Sequence, residues 1–359
     1  MNAMNTQHVT GYYKQILVGF LLGLMISPFQ SNSQKPREEK TIIEPAKEWL
    51  DNKGNPINAH GGGVLFFNGI YYWYGEHKIP GKSEADFADG GIHCYTSKDL
   101  INWTDAGIVL GVENGSSNYD LEYGCLIERP KVVYNQKTRK FIAYFKFYPK
   151  GNGYEVANVG VAIAESPAGP FKYSHKFLAA GSPKGSGDFS MFVDDNGDLY
   201  HLAVRKPDKT FVIGKMRDDY LLPAEEYKVC TGIEPHTEAP AVVKINGVYH
   251  LLGSGSTGWK PNTARYYTST SLYGPWKNHG NPCSGVNTVD SIGVEKTFGS
   301  QSTFIIPVQG IKDAYVAMFD IWKPEMPIKG RYIWLPVVVK ENKFIINWMD
   351  NWSLDFFRK

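Results

Sequence analysis

A chain of 359 residues with 42% hydrophobic content can bury a large core, and a formal net charge of +2 without a long basic block excludes a nucleic-acid footprint. Aromatic residues make up 14%, with 22 Tyr and 9 Trp, a surplus that suits β-strands and also the C–H faces of sugars. Cys94, Cys125, Cys230 and Cys283 are scattered with no C-x-x-C pair, which excludes the usual zinc spacing and leaves buried free thiols as the simplest reading.

The first element in chain order reads as an export signal. Lys14 supplies positive charge, residues 16–26 are nearly all apolar, and small polar residues follow at 31–33. The apolar run falls short of the roughly 20 residues a membrane helix needs. Residues 1–33 are therefore expected to be a signal peptide that leaves no membrane span after cleavage. The product would be periplasmic or extracellular. No cysteine near the cleavage region offers a lipid anchor. Residues 34–45 are charged and contain Pro36 and Pro45, and read as a flexible lead-in. From there to 359 the pattern is strands and turns, with no long helical periodicity.

Five times a polar residue opens a short apolar run, a turn follows, and an aromatic strand comes next. His60, Glu128, Asp188, Glu238 and Gln301 are the five leaders. Asn68-Gly69, Asn196-Gly197, Asn246-Gly247 and Gln309-Gly310 mark four of the turns. A further strand follows each aromatic one and runs into another turn signature, such as Gly169-Pro170-Phe171 or Gly274-Pro275-Trp276. Each unit thus reads as four antiparallel strands, repeated with a period of roughly 60 residues. The expected fold is all-β, a five-bladed β-propeller of four-stranded antiparallel blades. A β-sandwich would not yield the same four-part unit five times.

In a propeller the innermost strands line a central channel, so equivalent strand ends converge on one mouth. That brings the five leaders together. Carboxylates crowded into one pocket repel, and at least one then holds its proton near neutral pH. A protonated acid beside an ionised carboxylate is the equipment of glycoside hydrolysis.

Longer stretches carry a resemblance. They are Glu238-Ala239-Pro240-Ala241 with Gly247-Val248-Tyr249-His250-Leu251, and Asp188 with Phe192-Val193-Asp194-Asp195-Asn196-Gly197. Others are Asn58-Ala59-His60-Gly61-Gly62, Tyr74-Gly75-Glu76, Glu128-Arg129-Pro130-Lys131-Val132, Ser256-Thr257-Gly258-Trp259 and Ser300-Gln301-Ser302-Thr303. Together, over about residues 44–356, they resemble glycoside hydrolase family 43, the five-bladed propeller glycosidases. Within it they are most similar to the subgroup of exo-β-1,3-galactanases and some α-L-arabinofuranosidases.

The resemblance implies roles. Glu238 is the general acid, and Asp188 tunes its pKa and orients it. The family's usual base is an Asp near the start of blade one, where this chain has Asn58-Ala59-His60, a departure the subgroup shares. A blade-five Gln is thought to position or activate water in that subgroup, and Gln301 matches it. Glu128 is a sugar-binding residue first and the alternative base second. A carboxylate suits a base better than an amide in its ordinary form. Glu76, Tyr154 and Thr257 are expected sugar contacts, and Trp259 a pocket wall. Asp208-Lys209-Thr210, Phe319-Asp320-Ile321-Trp322 and Phe145-Lys146-Phe147-Tyr148 depart from the subgroup's pattern around the sugar.

The implied protein is an exported, exo-acting, inverting glycosidase with oligo- or polysaccharide as its partner. Galactan-like side chains are the first expected substrate and arabinofuranosides the second. The departures leave a sugar-binding propeller without catalysis as the rival. No cofactor, no metal and no nucleic-acid partner are expected, and the chain reads as a monomer. Asp194 to Asp198 lacks the length and distal Glu of a calcium loop and reads as a hairpin turn.

Overall fold

The computed structural model describes residues 39–113 and 120–358. The expected signal peptide lies outside them. The described chain forms five four-stranded antiparallel blades. Their innermost strands are His60–Phe67, Leu126–Asn135, Ser186–Val193, Thr237–Ile245 and Gln301–Pro307. Each of these touches the next around a closed ring, and Gln301–Pro307 returns to His60–Phe67. The architecture is the five-bladed β-propeller expected from the repeat.

Local chemistry explains the hairpins. Asn68 and Gly69 both have positive φ, 48° and 82°, as do Asn246 and Gly247 at 49° and 79°. Two central residues of that hand make the turn whose twist matches the flanking strands. The last hairpin of blade five achieves the same with Glu341 and Asn342, at 50° and 54°, and no glycine. The Asp194–Asp198 loop closes through Asp194 N–H to the Asp198 carbonyl at 2.9 Å. Its Asp194 carboxylate accepts from Lys244 at 2.8 Å and from the Tyr249 hydroxyl at 2.6 Å, so it serves the turn and its neighbours.

The seam between blades five and one is aromatic. Trp49, Trp73, Trp103, Tyr332, Trp334 and Trp352 pack there in one buried cluster. The Tyr332 hydroxyl accepts from Ala59 N–H and donates to the Ile57 carbonyl, each at 2.9 Å. Ile43, inside the stretch expected as a lead-in, is buried and pairs with Trp352. Cys283–Ser284 adds a fifth strand to the outer edge of blade five, parallel to Lys343–Asn347. All four cysteines are free and buried. No helix among the described residues is long and apolar enough to cross a membrane.

One irregularity recurs. The first residues of every innermost strand carry a bulge. His60 pairs with Glu76 but Gly63 with Tyr74, and the same one-residue slip follows Glu128 and Glu238. In blade three it falls between Ser186 and Phe189, and in blade five between Ser302 and Phe304. The residue after the leader is left-handed in three blades: Gly61 at 63°, Arg129 at 52° and Ala239 at 55°. A bulge bends the strand and re-aims a side chain, which here turns the leaders toward the channel mouth. At Gly61 a Cβ would stand 2.3 Å from Glu76 Oε1, so no other residue fits without displacing Glu76.

Candidate active site

Four of the five leaders meet in one cavity of about 340 Å³, lined by Glu128, Asp188, Glu238 and Gln301. They are tied by a continuous line of polar contacts. Glu128 Oε2 lies 2.6 Å from Lys146 Nζ, which lies 3.1 Å from Asp188 Oδ1. Asp188 Oδ2 is 3.0 Å from Arg129 Nε. The Arg129 guanidinium donates to Gln301 Oε1, and Gln301 Nε2 donates to Glu238 Oε1 at 3.1 Å. Ser256 Oγ donates to Glu238 Oε2 at 2.5 Å. Ladder pairing supplies one partner directly, because Lys146 stands opposite Glu128, and it sets Ser254, which Gln301 contacts, opposite Glu238.

The two acids are pushed in opposite directions. Burial raises the Glu238 pKa, and the Asp188 charge raises it further, against the Ser256 hydrogen bond, Arg129 and Lys146. Burial also disfavours the Asp188 charge, but Arg129 and Lys146 outweigh it and hold Asp188 below the usual carboxylate range. The two shifts run apart, Glu238 toward holding its proton and Asp188 toward staying ionised, the pattern that suits an acid and its tuner. Against the cost of burial, Glu128 leads the charges that hold Lys146 well above its ordinary value.

With this geometry in place, comparison with known proteins is decisive. The model of the glycosyl hydrolases family 43 matches residues 64–293. The chain belongs to glycoside hydrolase family 43. It is a glycosidase, hydrolysing O-glycosyl bonds. It is 38% identical to a family-43 β-1,3-galactosidase whose structure holds galactodeoxynojirimycin, over 87% of this chain and 100% of that one, with a TM-score of 0.79. The exo-β-1,3-galactanase from Phanerochaete chrysosporium, solved with β-1,3-galactotriose, is 31% identical over 87% of this chain and 68% of its own, with a TM-score of 0.76. A β-D-galactofuranosidase from Aspergillus niger is 26% identical over 241 residues, 62% of this chain. That match spans 66% of the galactofuranosidase's length.

The expected sugar contacts take different places around the pocket. Thr257 does not line it. Its hydroxyl donates to the Lys260 carbonyl at 2.5 Å and accepts from Asn262 Nδ2 at 2.6 Å, so it closes an exposed loop. Ser256, one residue earlier and just past the strand that ends at Gly255, points in instead and meets Glu238. Glu76 lines the pocket, but its Oε1 accepts from Arg129 N–H at 2.8 Å and its Oε2 pairs with Lys78 at 2.9 Å. With both oxygens engaged and 2% exposure, it braces the pocket wall. Tyr154 does line the pocket, edge-on to Tyr148 with ring centroids 5.0 Å apart. Trp259 lines it too and meets Trp322 edge-to-face.

Gln301 is fully committed. Its oxygen accepts from Arg129 and from Trp322 Nε1 at 3.0 Å, and its nitrogen donates to Glu238 and to Ser254 Oγ at 2.9 Å. Arg129 and Trp322 can only donate, so the amide can face only one way. His60 sits outside the pocket, buried and stacked on Tyr332, with burial lowering its pKa to about 3. Beneath the pocket Lys131 fills the channel, its ammonium donating to the carbonyls of Gly61, Arg129 and Pro130 at 3.0–3.3 Å. Sequence reasoning missed Arg129, Lys146 and Trp322 as site residues. Lys146 and Trp322 entered only within stretches that depart from the subgroup's pattern. Among the described residues no group of three or more His, Cys, Asp or Glu side chains is arranged to hold a metal ion.

Proposed function

We propose that this glycosidase is exported and releases terminal β-1,3-linked galactose from galactan-like plant side chains, with inversion. The observation that carries the reading is the pair of acids shifted in opposite directions, Glu238 upward beside Asp188 downward, in a chain 38% identical to a β-1,3-galactosidase of known structure. A cavity of about 340 Å³ lies at the small end of ligand sites, about 300–1,000 Å³, and suits a chain end better than a long chain. Glu238 protonates the departing glycosidic oxygen. Asp188 keeps that proton in place by charge and Arg129 keeps Asp188 in place by pairing.

Water attacks from the opposite face of the sugar. Glu128 suits the base, since only its Oε2 is held by Lys146 and it lines the pocket. Gln301 has no hydrogen-bonding capacity left for water, and acts as a strut between Glu238 and Arg129. The intact acid pair argues against a sugar-binding propeller that has lost catalysis.

The test is product analysis on β-1,3-galacto-oligosaccharides, with aryl α-L-arabinofuranoside and β-D-galactofuranoside run in parallel. Galactose as the first product, appearing as the α-anomer by NMR, supports the reading. Release of arabinose or galactofuranose alone would replace the sugar, and internal cleavage would remove the exo mode. For the base, Glu128→Gln is expected to lose about 10²–10⁴-fold in turnover and to recover with azide, giving an α-galactosyl azide. Azide rescue of Gln301→Ala instead would transfer the role to Gln301. Fractionation of the producing cell tests export.

A further inference from the structure

The charged side chains that line the pocket are equal in number but are not all paired off with one another. Four are acids, Glu76, Glu128, Asp188 and Glu238, and four are cations, Arg129, Lys146, Lys206 and Lys209. The acids are already answered. Glu76 pairs with Lys78, Glu128 with Lys146, and Asp188 with Arg129 and Lys146. Glu238 takes hydrogen bonds from Ser256 and Gln301 on its two oxygens. Lys206 and Lys209 are left over, and among the described residues neither has a carboxylate oxygen within 4.0 Å.

Their loop is built to hold them there. Lys209 N–H donates to the Arg205 carbonyl at 2.9 Å, and Arg205 N–H to the Thr210 carbonyl at 2.8 Å. The one carboxylate of the loop, Asp208, turns away and clasps Arg205, with Nη2 to Oδ2 at 2.6 Å. Lys209 itself adopts φ of 58°, a left-handed conformation uncommon for a residue with a Cβ. Lys206 Nζ donates to the Tyr154 carbonyl at 2.7 Å and to the Tyr148 hydroxyl at 3.5 Å, and rests over the Tyr148 ring at 5.2 Å, which leaves one donor. An ammonium has three donors, so it retains capacity for a ligand. Burial, then the like charges of Lys146 and Lys209, lower the Lys206 pKa to about 8. A neutral sugar has no use for such crowding, whereas an anion relieves it.

We propose that this pocket selects a substrate carrying an anionic group, a sugar carboxylate or a sulfate ester, seated against Lys206 and Lys209 beside Tyr154. This deepens the galactosidase reading and rests on it for the place of the site, not for the linkage cleaved. Selectivity comes from the two uncompensated charges, which favour an anionic sugar over its neutral isostere.

The experiment is calorimetric binding of galacturonate, galactose 6-sulfate and galactose to the whole protein at low ionic strength. At least about tenfold tighter binding of an anionic sugar than of galactose is expected, shrinking in about 0.5 M NaCl as screening sets in. Which of the two anions is preferred identifies the source of the charge. Lys206→Gln and Lys209→Gln are expected to bring the anionic-to-neutral ratio toward one, while Lys206→Arg keeps it, with thermal melts confirming that each variant folds. Because an anion favours the protonated lysine, the preference is expected to fall as pH rises through about 8. Equal binding of all three sugars, or a preference that survives in the Lys206→Gln, Lys209→Gln double variant, would overturn the proposal. The measurement needs no turnover, so failure of galactan hydrolysis leaves it standing, and loss of the preference leaves galactan hydrolysis standing.

Discussion

The innermost strands are different structures at their two ends. At the pocket end each ladder slips by one residue, and polar leaders turn into a cavity of about 340 Å³. At the other end the same strands run in regular register and present Val64, Met191, Val242, Phe304 and Ile305 to a larger cavity of about 600 Å³. The larger space holds no split pair of acids. Cavity size therefore does not mark the site. Convergent polar groups aimed by bulges do, and the regular ends supply the rigid frame that keeps those groups in place.

That contrast can be broken from either side. The largest effect is expected at the pocket end, where Glu238→Gln removes the transferable proton and lowers kcat by about 10³-fold or more, with the melting temperature little changed. A variant that turns over normally would detach the bulged ends from the chemistry. Next comes Asp188→Asn. Activity requires protonated Glu238, so it falls as pH rises through the Glu238 pKa. Removing the Asp188 charge takes away a contribution that raises that pKa. The alkaline limb of the pH–rate profile should therefore move to lower pH, with about 10–10²-fold lower kcat. An unmoved limb would mean that Asp188 acts by position alone. The smallest effect on catalysis is expected at the regular end. Ile305→Ala empties a site that is 1% exposed and should cost about 2–5 kcal/mol in denaturant unfolding, with kcat/KM nearly unchanged. A large loss of kcat/KM there would show the frame and the site to be coupled more tightly than the bulges suggest.

The legible parts of the molecule were those written in local sequence. A polar residue ahead of a β-branched or aromatic run marks a strand start, so all five leaders could be read, and four of them share the pocket. Asn-Gly marks a turn, so two tight hairpins could be read, while Glu341-Asn342 carries no such mark. Phase at a strand end is not local. Thr257 and Ser256 differ only in which one faces inward, and the turn after Gly255 decides that. Pairing across blades was also hidden. Arg129 follows Glu128 directly, yet its guanidinium serves Asp188 in the next blade and Gln301 three blades further along the sequence. The left-handed φ of 52° at Arg129 sends it there, and nothing in the sequence announces that conformation at an arginine.

The Lys131 plug has a kinetic consequence. Its ammonium is held by three carbonyls, and His60 and Asp320 are buried as well. On the exo mode proposed above, a sugar released on the Lys131 side of the pocket would lie behind the shortened chain. Each cleavage would then end an encounter, and free monosaccharide would compete with the returning polymer.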